Sequence, residues 1–175
     1  MMEVWVGPAI VAAVISGLVS LVVVQVNFRQ ERKADRFRRE EKIRDFQIAL
    51  QAEIRSELAN LERFDLSALF AEVEERYSRD SDYSVSVPRI SRHVVFDAIA
   101  KEIHILPESV IGPVVFYARQ RQAVESLADD MRDAAFKKLD RSRQLEMYRD
   151  YLGMWNLWRD LAAKAEKALE SGKIQ

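Results

Sequence analysis

The first pattern along the chain is a run without charge. From residue 4 to residue 24 no Asp, Glu, Lys or Arg interrupts a stretch of mostly Val, Ala, Ile and Leu. At ~1.5 Å per residue a helix of that length reaches roughly 30 Å, the thickness of a bilayer core. Its many β-branched residues suit a strand in water, but in hydrocarbon only a helix satisfies its own backbone groups. The pattern therefore predicts one transmembrane helix, with Trp5 and Phe28 at the two interfaces and Pro8 in the first turn. A cleaved signal peptide would need a basic start and a small-residue cleavage site, and the opening Met-Met-Glu does not fit one. Ala9, Ala13 and Gly17 recur at intervals of four, a small-residue face on which two such helices can pair.

The polar pattern that follows is equally one-sided. No Lys or Arg precedes Arg29, after which Arg32, Lys33, Arg36, Arg38 and Arg39 come in quick succession. By the positive-inside rule the N-terminus lies outside and the C-terminal domain in the cytoplasm, at the cell (inner) membrane. The same six side chains are placed to meet anionic lipid headgroups, each at about 1 kcal/mol near the surface. Residues 30–42 are charged or polar except Ala34 and Phe37, and nothing breaks a helix, so a charged helical stalk is expected to continue the anchor. Asp35 with Arg39 and Glu40 with Arg44 have the i,i+4 spacing that supports it.

Helical periodicity then takes over. Ile43, Phe46, Leu50, Ile54, Leu58 and Leu61 form one apolar stripe, and Leu66, Leu69, Phe70, Val73 and Tyr77 form another, with Asp65 or Ser67 available as a cap. Residues 79–91 are rich in turn formers and end near Pro88, which predicts the longest loop. Ser91 reads as the N-cap of a short helix from Arg92 to about His104, and Pro107 opens the next. There Val110, Val114, Tyr117, Arg121, Val124, Ala128, Met131 and Ala135 alternate steps of four and three, a coiled-coil-like seam for intramolecular packing or a partner. Arg121 within it must snorkel outward or pair with an acid of a facing helix. The last helix carries Leu145, Tyr148, Tyr151, Leu152, Trp155, Trp158 and Leu161, an aromatic face expected to be core, with ligand binding as the alternative.

These elements describe an all-α protein: an anchor over residues 1–28, a basic stalk over 29–42, and an antiparallel bundle of about four helices over 43–175. Only 9 of the 175 residues are Gly or Pro (5 plus 4), which agrees with helices. With 27 basic and 28 acidic residues there is no overall field to draw nucleic acid. The absence of cysteine excludes disulfides, thiolate nucleophiles and iron–sulfur ligation.

Catalytic patterns are missing as well. The only histidines, His93 and His104, stand eleven apart, in neither a zinc-protease nor a Glu-x-x-His arrangement, and read as surface or rim residues. The five glycines are scattered, so no phosphate-cradling loop exists. Glu74 with Glu75 and Asp129 with Asp130 point apart on their helices and read as solvated faces. No metal, cofactor or catalytic residue is expected, and a small-molecule ligand is not the leading expectation. The expected role is a membrane-tethered scaffold or interaction module, an accessory subunit of a membrane complex with lipid and protein or homo-oligomer partners. The alternatives are a phage-type lysis or envelope-spanning protein of opposite topology, and a bundle holding a small ligand against Trp155, Trp158 and Tyr117.

Overall fold

The computed structural model describes residues 6–172; the side chains of Val6, Pro8, Ala9, Ile10, Val11, Val14, Ile15, Leu18, Val19 and Val22 also lie outside the description. Among the described residues the fold is all-α, with five α-helices: α1 Val6–Leu61, α2 Leu66–Arg79, α3 Val94–Ile99, α4 Glu108–Arg132 and α5 Arg141–Ser171. Two 3-10 turns, Ala100–Ile105 and Phe136–Lys138, join them. The chain divides into two units, Met1–Lys42 and Ile43–Gln175.

In the first unit the side chains at residues 23–42 are all exposed, apolar Val23, Val24, Val26, Phe28 and Phe37 among them. Among the described residues, no helix is long and apolar enough to cross a membrane. This corrects the expected transmembrane anchor. Within that stretch the side chains of Gly7, Ala12, Ala13, Ser16, Gly17, Ser20, Leu21, Val23 and Val24 are described, and these alone do not make an apolar run of membrane length. The Ser20 hydroxyl donates back to the Ser16 carbonyl at 2.8 Å. Everything that depended on a span is withdrawn with it: the single-pass topology, the outward N-terminus, the inner-membrane location, the membrane tether of the scaffold and of its envelope-spanning alternative, and the lipid partner of Arg29, Arg32, Lys33, Arg36, Arg38 and Arg39. The interfacial role of Trp5 and the contribution of Ala9 to a pairing face lie outside the described residues. Ala13 and Gly17 are exposed, and a Cβ added at Gly17 would touch nothing within 4 Å.

The second unit is built around α5. From α1 in this unit, Gln47 donates to the Gly172 carbonyl at 2.8 Å, Gln51 to Glu170 at 3.0 Å, and Arg55 to Glu166 at 2.6 Å, so α1 and α5 run antiparallel. On α4, Val110 lies against Gly172 and Arg121 against Trp158, again antiparallel. On α2, Phe70 stacks on Tyr148 with ring centroids 6.4 Å apart, and Tyr77 donates to Gln144 at 2.6 Å. The stripes read from the sequence are the ones that close: Ile43, Leu50, Ile54, Leu58 and Leu61 are buried, as are Val73 and Tyr77. Asp65 caps α2, its carboxylate accepting from the backbone of Ser67 and Ala68 at 3.0 and 3.1 Å.

Three expectations change here. Among the described residues there are five α-helices where a bundle of about four was expected. The helix expected from Arg92 to His104 is a six-residue α-helix followed by a 3-10 turn, and Ser91 does not cap it. Its first turn is capped instead from another element: Glu53 on α1 accepts from the backbone N–H of Val95 and of Phe96, both at 2.9 Å. Ala135 falls beyond the end of α4 and is exposed, so the seam ends at Met131. Residues 80–93, although irregular, are fastened to the bundle by buried Val85 and Val87, by Ser84 donating to Gln144 at 3.0 Å, and by Arg132 donating to the Pro88 carbonyl at 2.8 Å.

Candidate functional site

The seam of α4 brings Tyr117 and Arg121 one turn apart on its buried face, and both turn toward an acid of α1. Tyr117 donates its hydroxyl to Glu57 Oε2 at 2.5 Å, and Arg121 donates from Nε to Glu57 Oε1 at 3.1 Å. The pairing that Arg121 demanded is therefore made inside the protein. A second guanidinium N–H of Arg121 donates to the Ser91 carbonyl, joining the 80–93 segment to the same group. His93, at the start of α3, places Nε2 at 2.9 Å from the Tyr117 oxygen and 3.3 Å from Glu57 Oε2. The Tyr117 proton is already directed at Glu57, so both neighbours of Nε2 accept and that nitrogen carries the proton. The expectation that His93 is a surface residue is corrected, since its side chain is 6% exposed; His104 is exposed, as expected.

The electrostatics follow from this packing. Burial by itself pushes the Glu57 carboxyl up, but hydrogen bonds from His93 and Tyr117, with the charges of His93 and Arg121, outweigh it and hold Glu57 below the usual carboxylate range. Burial, followed by the neighbouring Glu57 charge, drives the Tyr117 phenol well above its ordinary value. Glu57 is thus a weak base and Tyr117 a weak acid near neutrality, with both carboxylate oxygens already accepting. The arrangement suits a fixed buried network more than proton transfer to a substrate.

Two hollows flank it. One, about 600 Å³, is lined by Arg92, His93, Phe96, Asp97, Arg119, Arg121, Gln122 and Asp129, with positive and negative side chains mixed. The other, about 130 Å³, lies between α1, α5 and the 80–93 segment and is lined by Glu57, Leu61, Phe64, Ile90, Trp155 and Trp158, with Asn60, Arg89 and Ser91 exposed at its edge. Phe64, Trp155 and Trp158 form a chain of edge-to-face rings, with centroids 5.9 and 6.0 Å apart. The Arg121 guanidinium sits 5.9 Å from the Trp158 ring centroid. Among the described residues, no group of His, Cys, Asp and Glu is arranged to hold a metal ion.

Of the positions singled out in the sequence, Val110, Val114, Tyr117, Arg121, Val124 and Met131 are buried within the bundle, Trp158 is buried and Trp155 half-buried. Sequence reasoning missed Glu53, Glu57 and His93. The available signal was Arg121 itself, which required an acid on a facing helix; Glu57, flanking the stripe between Ile54 and Leu58, was a candidate hidden among ordinary surface acids. Searches against protein-family models, curated proteins and solved structures gave no match, so the reading of this site rests on its geometry.

Proposed function

We propose that the chain is a non-catalytic helical interaction module, in which the bundle is the folded body and the exposed part of α1 is the limb that engages a protein partner. The observation that carries this is the exposure of Val23, Val24, Val26, Phe28 and Phe37 along a helix whose side chains from 23 to 42 all face solvent. Val23, Val24, Val26 and Phe28 fall within six residues of one another, a concentration of exposed apolar side chains of the kind that marks an interaction surface. The chemistry of the bundle supports the same reading, because its most concentrated set of titratable groups, Glu57, His93, Tyr117 and Arg121, is satisfied within the protein.

The test is site-specific photo-crosslinking of the full chain in the cells that produce it, with the crosslinker in place of Phe28 or Phe37. The expected result is a discrete protein adduct from at least one of the two positions, whether with a second copy or with another chain. If neither position gives an adduct while a crosslinker at buried Phe136 still yields its intramolecular product, the limb has no protein partner and the reading fails.

A further inference from the structure

We propose that the outward face of α4 and α5 is a self-association surface, on which two copies of the chain meet antiparallel about a two-fold axis at Leu157. This goes beyond the role of the α1 limb and does not depend on it. The first observation is a pair of large apolar side chains that the bundle leaves uncovered, Leu157 at 48% and Phe116 at 64% exposed. They belong to one surface. Gln120, one turn from Phe116 on the same side of α4, donates to the Met154 carbonyl at 3.0 Å, and Met154 lies one turn from Leu157 on α5. The second observation is a symmetric pair of charges: Asp150 stands seven residues before Leu157 and Lys164 seven residues after it. Seven residues fall only ~20° short of two full turns, so the three share one face, with the charges about 10 Å to either side of the leucine. Both are exposed, and among the described residues neither has an ion-pair partner.

This pattern is its own complement. Two copies of α5 crossing antiparallel at Leu157 set Asp150 of each against Lys164 of the other, so that two ion pairs flank the paired leucines. A parallel crossing sets Asp150 on Asp150 and Lys164 on Lys164, and the charges therefore select the antiparallel one. Heptad spacing is also what helices packed at about 20° keep in contact over several turns. Phe116 adds apolar area from α4 on the same side. An isologous contact needs a surface that satisfies itself under a two-fold rotation, and this one does. A partner of different sequence has to reproduce both charges at that spacing, whereas a second copy already carries them.

The chain has no cysteine, so one introduced thiol reports only its own surroundings. In the full chain under mild oxidation, Leu157→Cys is expected to give a disulfide-linked dimer, because the axis brings the two positions close to the roughly 7 Å between Cα atoms that a disulfide spans. Exposed Ser142→Cys, on the same helix but about 45 Å from its copy in this arrangement, should stay monomeric. Charge reversal then tests the register. Added to Leu157→Cys, either Lys164→Asp or Asp150→Lys turns both ion pairs into repulsions and should cut the yield of linked dimer at low chain concentration by about tenfold to thirtyfold. Mixing the two reversed chains restores an attraction at each end, so a linked heterodimer should form from chains that no longer pair with themselves. The proposal is overturned if Leu157→Cys links no better than Ser142→Cys, which would leave the face to solvent or to a different protein. It is overturned equally if the reversals leave the linkage unchanged, or if mixing does not restore it. Pairing through the α1 limb would respond neither to these charges nor to the place of the thiol on α5, so failure here leaves the limb reading standing.

Discussion

Glu57 is where the largest single-residue effect is expected. Its side chain is 14% exposed and that of Arg121 11% exposed, so Glu57→Gln leaves a guanidinium buried with its charge uncompensated. Removing one partner of a buried pair costs about 3–5 kcal/mol, which urea unfolding of the variant should show as a lower midpoint at an unchanged slope. Replacing both, Glu57→Leu with Arg121→Met, should cost less than the sum of the single changes, because neither charge is then stranded. The pH dependence has a definite sign. The folded Glu57 carboxyl lies below its ordinary value of 4.5, so in the window beneath that value the unfolded chain takes up a proton that the folded chain refuses. Its stabilising contribution is complete above the unfolded value and is lost as pH falls through the folded one. Stability measured against pH should accordingly show an acid limb that flattens in Glu57→Gln; an identical limb in both proteins would refute the assignment.

At the level of elements, the close approach of helix ends decides the next prediction. Gly172 follows α5, and a Cβ there would come within 2.6 Å of Val110 Cγ2 and 3.2 Å of Gln47 Nε2. Gly172→Ala must push aside the start of α4 or break the hydrogen bond from Gln47 to the Gly172 carbonyl, at a cost of about 1–3 kcal/mol. Adding Val110→Ala removes the obstructing methyl, so the double variant should recover part of the loss in thermal melts. No sequence pattern announces this contact: a glycine after the last periodic residue reads as an ordinary helix stop. The long elements were legible for the opposite reason. Period-3.6 stripes such as Ile43 to Leu61 record one buried face directly, and the steps of Val110 to Met131 did the same for α4. What the periodicity does not encode is capping from a distance. Glu53 closes the first turn of α3 across the fold, and His93 is buried because an irregular segment packs over the bundle. The uncharged run shows the converse, where residue type alone suggested a membrane span that the described helix does not supply.

For the whole molecule, the division at Lys42 and Ile43 has an experimental meaning. The core lies in the second unit, with Leu50, Ile54, Val110, Val114, Tyr117, Val124, Ala162, Ala165 and Leu169 essentially inaccessible. A chain starting at Ile43 should therefore keep a cooperative thermal transition close to that of the full protein, whereas a broad, non-cooperative melt would mean that residues 1–42 are needed for the fold. The segment at 80–93 carries a further consequence. Although it lacks regular structure, Val85 donates its backbone N–H to the Tyr77 hydroxyl at 3.1 Å, Val87 is buried, and the Pro88 and Ser91 carbonyls are held by arginines. Where a tag, epitope or fluorophore is to be inserted, only the exposed tip at Asp80, Ser81 and Asp82 is available. From Val85 onward the stretch that reads as a connector tolerates insertion no better than the middle of a helix.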